Sequence, residues 1–73
     1  MKKVFYVENH YKYNGVHNRS TGHLIEAETE EKAKEFVKNN LAKFPIRSQE
    51  VRLADERQIE NRKKGIGGII HKP

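Results

Sequence analysis

The chain has no cysteine, no tryptophan, a single methionine and only two prolines among its 73 residues. Without cysteine, structural disulfides, thiolate nucleophiles and cysteine-zinc sites are excluded. Long apolar runs are missing too. Behind Lys2 and Lys3 the only apolar stretch is Val4–Val7, far short of a membrane span and of the roughly 7–15 residues of a signal-peptide core. A cytoplasmic protein is the expectation, and Asn18-Arg19-Ser20 is then a chance match to a glycosylation acceptor. Apolar residues amount to 34%, so a single domain with a thin core follows. Chains under about 70–80 residues rarely draw more than about 3–5 kcal/mol from the core alone.

What the chain does have is positive charge, with 15 Lys/Arg against 10 Asp/Glu and a formal net charge of +5. Residues 1–37 hold six of each sign, whereas residues 38–73 hold nine basic against four acidic. A basic half draws the protein towards nucleic acid, an anionic membrane or an acidic protein surface without choosing among them. Ile66, Ile69 and Ile70 in the tail make too short an apolar face to anchor in lipid, so no membrane partner is expected.

The N-terminal "KKVFYVENHYKYNGVHNRSTGHLIEAE" predicts a hairpin, rich in aromatic and β-branched residues at both ends and with Asn14-Gly15 suited to a type I′ turn. With those two residues as the turn, Phe5 pairs with Leu24 and Val4 with Ile25. Val4, Tyr6, Glu8, His10 and Lys12 then share a face with His17, Arg19, Thr21, His23 and Ile25, while Phe5, Val7, Asn9, Tyr11 and Tyr13 take the other. A bulge at Ser20-Thr21-Gly22 would exchange the faces of the returning strand.

"ETEEKAKEFVKNNLAKFP" predicts an amphipathic helix. Thr29 is its N-cap, Glu30 and Glu31 suit the first turn, and Ala33, Phe36, Val37, Leu41 and Phe44 fall at helical spacing until Pro45 stops it near residue 43. "RSQEVRLA" alternates as a third strand through Val51 and Leu53. In "DERQIENRKKG", Asp55 with Gln58 and Gly65 are start and stop signals for a short exposed helix. The expected architecture is α+β: a β-β-α-β domain over residues 1–54, with a three-stranded antiparallel sheet and one long helix on one face. Residues 55–73 follow as a basic, partly helical segment with a mobile Gly/Ile tail. The expected core is Val4 or Phe5, Val7, Ile25, Ala27, Ala33, Phe36, Val37, Leu41, Phe44, Val51 and Leu53.

Candidate sites fall in two places. On the hairpin, Tyr11, Lys12, Tyr13, His17 and Arg19 interleave rings with cations, as single-stranded nucleic acid favours. In the second half, Arg57, Arg62, Lys63 and Lys64 supply phosphate-directed charge. His10, His17 and His23 gather near Glu8 in the first register, yet Lys12 and Arg19 among them oppose a cation, and no metal or cofactor is expected. "KKGIGG" fits no phosphate-loop spacing. No catalytic residue emerges.

The β-β-α-β order and the phrase "EAETEEKAKEFVKNN", within residues 3–54, resemble small accessory proteins encoded by bacteriophages and other mobile elements. That resemblance implies a compact, non-catalytic binder of host nucleic acid or host protein and carries over no functional residue. The reading is a non-enzymatic protein that engages nucleic acid or a nucleoprotein. Its alternatives are a module that docks on an acidic host protein and modulates it, and a small histidine-dependent ribonuclease. A homodimer through the uncovered sheet face is a further expectation.

Overall fold

A computed structural model describes residues 1–11, 20–42 and 45–73. Strands β1 (Lys3–Tyr11) and β2 (Ser20–Ala27) are followed by helix α1 (Glu30–Asn40), strand β3 (Ile46–Leu53), helix α2 (Glu56–Lys63) and a two-residue strand β4 (Ile70–His71). The sheet has four strands in the order β3-β1-β2-β4. β1 runs antiparallel to both β2 and β3, whereas β4 joins β2 in parallel. The three-stranded antiparallel sheet with one helix is therefore corrected to a four-stranded mixed sheet with two helices, within the α+β class.

Both helices start where their capping residues dictate. The Thr29 hydroxyl accepts the Lys32 N–H at 3.2 Å, and Ala33 and Val37 on one stripe are buried. α1 ends at Asn40 with Leu41 as C-cap, a turn before the expected stop; Lys43 and Phe44 lie outside the described residues. At α2 the Asp55 carboxylate accepts the Gln58 N–H at 2.7 Å and the Gln58 side chain accepts the Asp55 N–H at 3.2 Å, a reciprocal capping box. Its far end closes through Gly65 N–H to the Arg62 carbonyl and Ile66 N–H to the Asn61 carbonyl. Gly65 holds a φ of +82° there, which a residue with a Cβ adopts only at a cost.

The register of the hairpin differs by one residue from the two-residue-turn expectation: Phe5 pairs with Ile25 and Val4 with Glu26. Because side chains alternate, that single step exchanges the whole of β2 between faces. Phe5, Val7, Asn9 and Tyr11 now share a face with Thr21, His23, Ile25 and Ala27, and this face receives α1. The core cluster is Phe5, Val7, Ile25, Ala27, Ala33 and Val37, with Phe36, Leu41 and Val51 partly buried against it. Leu53 is 56% exposed, contrary to its expected place in the core.

The opposite face carries Val4, Tyr6, Glu8 and His10 beside Gly22, Leu24 and Glu26 of β2 and Ser48, Glu50 and Arg52 of β3. The α1 crossover leads from β2 to β3, and the α2 crossover leads back across the sheet from β3 to β4. Two crossovers of the same hand in opposite directions place their helices on opposite faces. Consistent with this, Leu24 is fully buried on the side away from α1. The face expected to lie bare is thus partly covered.

Candidate functional site

Residues expected to bind a ligand are distributed unevenly. Tyr11 is 4% exposed; its hydroxyl lies 2.9 Å from Thr21 Oγ1 and accepts from Asn9 Nδ2 at 3.3 Å. Its ring offers no stacking surface. Lys12, Tyr13, His17 and Arg19, and with them the Asn14-Gly15 turn, lie outside the described residues. Arg57, Lys63 and Lys64 are exposed, and Lys64 approaches Glu60 at 3.9 Å. Arg62 is half-buried. Its guanidinium lies against the turn at Gly67 and Gly68, where an added Cβ would sit 3.2 Å from its nitrogens.

The polar face of the sheet brings together groups that are remote in sequence. Tyr6, Glu8 and His10 alternate along β1, and Glu8 pairs directly with Glu50 on β3. The Tyr6 hydroxyl donates to Glu8 Oε1 at 3.1 Å. Its ring lies over Gly22, where even a Cβ would meet it at 2.6 Å, and the Arg52 guanidinium stands 4.9 Å from its centroid. Burial first, and then the hydrogen bond and charge of Glu8, raise the Tyr6 pKa above its ordinary value, against the opposing pull of Arg52 and Arg62. His10 Nε2 lies 3.1 Å from Glu8 Oε2 and 3.6 Å from Glu50 Oε1. Although within reach of both, this buried nitrogen forms no hydrogen bond. An open depression of about 420 Å³ adjoins the group, lined by Tyr6, Glu8, Glu50, Val51 and Arg52. Among the described residues, Glu8, His10 and Glu50 are the set able to hold a cation, with ligand atoms within 4.8 Å of one another.

His23, by contrast, sits on the α1 face opposite Val7. Its ring meets the His71 ring edge-on at 6.1 Å between centroids, and His71 is 6.0 Å from Phe36. His10 and His23 therefore point to opposite sides of the sheet and cannot flank one scissile bond. The sequence signal for the polar site was incomplete, because alternation places Glu50 on one side of a strand but does not say which strand lies beside it.

Burial, followed by the positive potential of His71 and Arg62, lowers the His23 pKa below its ordinary 6.5. The native state thus favours the neutral ring more than the unfolded chain does. Stability from this preference is complete above the unfolded value and is lost as pH falls from about 6.5 through the folded value. Urea midpoints should fall between pH 7.5 and 5, and His23→Gln should reduce that fall. An undiminished fall in His23→Gln would assign the effect to other groups.

No family model matches the chain, and neither a curated protein nor a solved structure is significantly similar to it. No helix among the described residues is long and apolar enough to cross a membrane. The fold defines a small mixed-sheet α+β protein with one hydrophobic face covered by α1 and one largely polar face that is partly covered.

Proposed function

We propose that the chain is a small, non-enzymatic cytoplasmic binding protein that engages nucleic acid or a nucleoprotein through the cationic end of α2 and the tail behind it. The supporting observation is the exposure of Lys63, Lys64 and Lys72, with Arg57 exposed in the first turn of α2, in a stretch, residues 57–73, whose only acidic residue is Glu60. Lys64 and Glu60 are both exposed, so their contact is weak and readily exchanged for a phosphate. The sheet face presents Glu8 and Glu50 and would repel a phosphate backbone, which directs the reading to the helix end. Lys12, Tyr13, His17 and Arg19 remain proposed contacts on the hairpin.

Fluorescence anisotropy with a labelled single-stranded oligonucleotide tests this reading. If three phosphates are neutralised, affinity should fall about 20-fold between 50 and 200 mM salt, given a slope of about −0.7 per phosphate. Replacing Arg57, Lys63 and Lys64 together by glutamine should remove most of the binding and flatten the slope. Salt-insensitive binding, or none, contradicts the reading.

A second reading, docking on an acidic protein, is favoured by one observation. β3 forms a sheet edge along its length, with Leu53 exposed at its end, and such an edge can accept an added strand. Capture of a partner that survives nuclease treatment and is lost in Leu53→Lys would favour it over the first.

A further inference from the structure

We propose that Glu8, His10 and Glu50 form a binding site for a divalent transition-metal cation, with Zn²⁺ the closest match to the donor set. A zinc ion bound at about 2.0–2.1 Å by nitrogen and oxygen in a tetrahedron needs donor atoms roughly 3.3–3.5 Å apart. His10 Nε2 lies 3.1 Å from Glu8 Oε2 and 3.6 Å from Glu50 Oε1, and all three donors fall within 4.8 Å of one another. Small side-chain adjustments bring these three atoms onto one ion.

Two further observations point to a ligand. Glu8 and Glu50 are direct cross-strand partners, and like charges so placed repel unless a cation stands between them. The atom facing both carboxylates, His10 Nε2, is buried and forms no hydrogen bond. The same is true of His23 Nε2 on the other face, but His10 Nε2 stands 3.1 Å from Glu8 Oε2 and 3.6 Å from Glu50 Oε1, where an ion could be shared. The outer shell is also in place. The Tyr6 hydroxyl occupies Glu8 Oε1 and leaves Oε2, the oxygen nearer His10, for the ion. Tyr6 in turn is fixed between Gly22 and Arg52.

Two carboxylates neutralise a divalent ion, and the imidazole selects against Ca²⁺ and Mg²⁺, which prefer oxygen alone. Among the described residues, three protein ligands are present. The fourth position opens into the depression beside Glu50 and Arg52, where water or a small anion completes the shell. Arg52 limits the affinity and at the same time suits an anionic fourth ligand.

The site is tested with the full, untagged chain in a non-chelating buffer at pH 7.5, by calorimetric titration of ZnCl₂ with Ca²⁺ and Mg²⁺ in parallel. The expected result is one equivalent of Zn²⁺ bound in the micromolar range, with Ca²⁺ and Mg²⁺ at least about 100-fold weaker by the preference of hard cations for oxygen. Glu50→Gln should weaken Zn²⁺ at least about tenfold without altering the circular dichroism spectrum, because the Glu50 side chain is 74% exposed. His10→Asn should abolish binding, and His71→Asn should leave it unchanged. Nitrogen NMR of the imidazole rings should show the shift at His10 Nε2. Absence of Zn²⁺ binding overturns the proposal. Zn²⁺ binding undiminished in both Glu50→Gln and His10→Asn also overturns it.

Discussion

Replacing Ile25 with alanine is expected to remove about 2–5 kcal/mol of stability, the range for deleting a fully buried branched side chain and leaving a cavity. Ile25 is completely buried. It pairs with Phe5 on β1 and with His71 on β4 and belongs to the cluster closed by Ala33 and Val37 of α1. No other described apolar side chain connects the central strand pair, the added edge strand and the helix in this way. A domain of this size draws only about 3–5 kcal/mol from its core, so the variant should be largely unfolded at ambient temperature. Urea denaturation followed by circular dichroism measures the loss. A cost below about 1 kcal/mol would mean that Ile25 is not in a fully packed site.

The second large effect lies in a polar network under α1. Asn9 is completely buried. Its Oδ1 accepts Gln49 Nε2 at 2.9 Å and its Nδ2 donates to the Tyr11 hydroxyl. Gln49 also reaches the Lys34 carbonyl at 3.2 Å and Tyr11 reaches Thr21, so the network links all three long strands to the helix. Asn9→Ala should cost about 2–3 kcal/mol, since buried partners lose hydrogen bonds worth about 0.5–1.5 kcal/mol each and a void opens. The partners keep their second contacts, which holds the loss below that of Ile25→Ala. In a double-mutant cycle with Gln49→Ala, the coupling should be about 0.5–3 kcal/mol. Additive losses would show that the two side chains do not act together.

The difference between what was legible in the sequence and what was not follows the range of the interactions. Caps act over three or four residues, so Thr29, Asp55 with Gln58, and Gly65 marked helix ends that the structure contains. Alternation along β1 likewise put Phe5, Val7, Asn9 and Tyr11 together, and all four are buried. Register is another matter. Asn14-Gly15 suggested a two-residue turn, but pairing is offset by one residue, and β2 turns over. That step carries His23 to the face opposite His10.

β4 was invisible for a related reason. Two residues show no periodicity, and Ile70 finds Leu24 only through a long-range parallel contact. Its consequence is visible in Leu24, fully buried although outside the helix-covered cluster. Leu53 errs the other way: its alternation suits a core position, but it ends an edge strand and stays exposed. The Glu8–His10–Glu50 group needed the same missing information, namely which strand lies beside β1 and in what register.

The face assignment underlies both the buried network and the polar cluster, and the pairing of β1 with β2 and β3 tests it most directly. In antiparallel strands, alternate opposed residues bring their Hα atoms close. NMR of the labelled chain should give cross-strand Hα–Hα contacts drawn from the pairs Val4–Glu26, Phe5–Ile25, Tyr6–Leu24 and Val7–His23, with Glu8 opposite Glu50 on the other side. Contacts between Phe5 and Leu24 and between Val4 and Ile25 as opposed pairs would contradict the account, because they would return His23 to the face of His10.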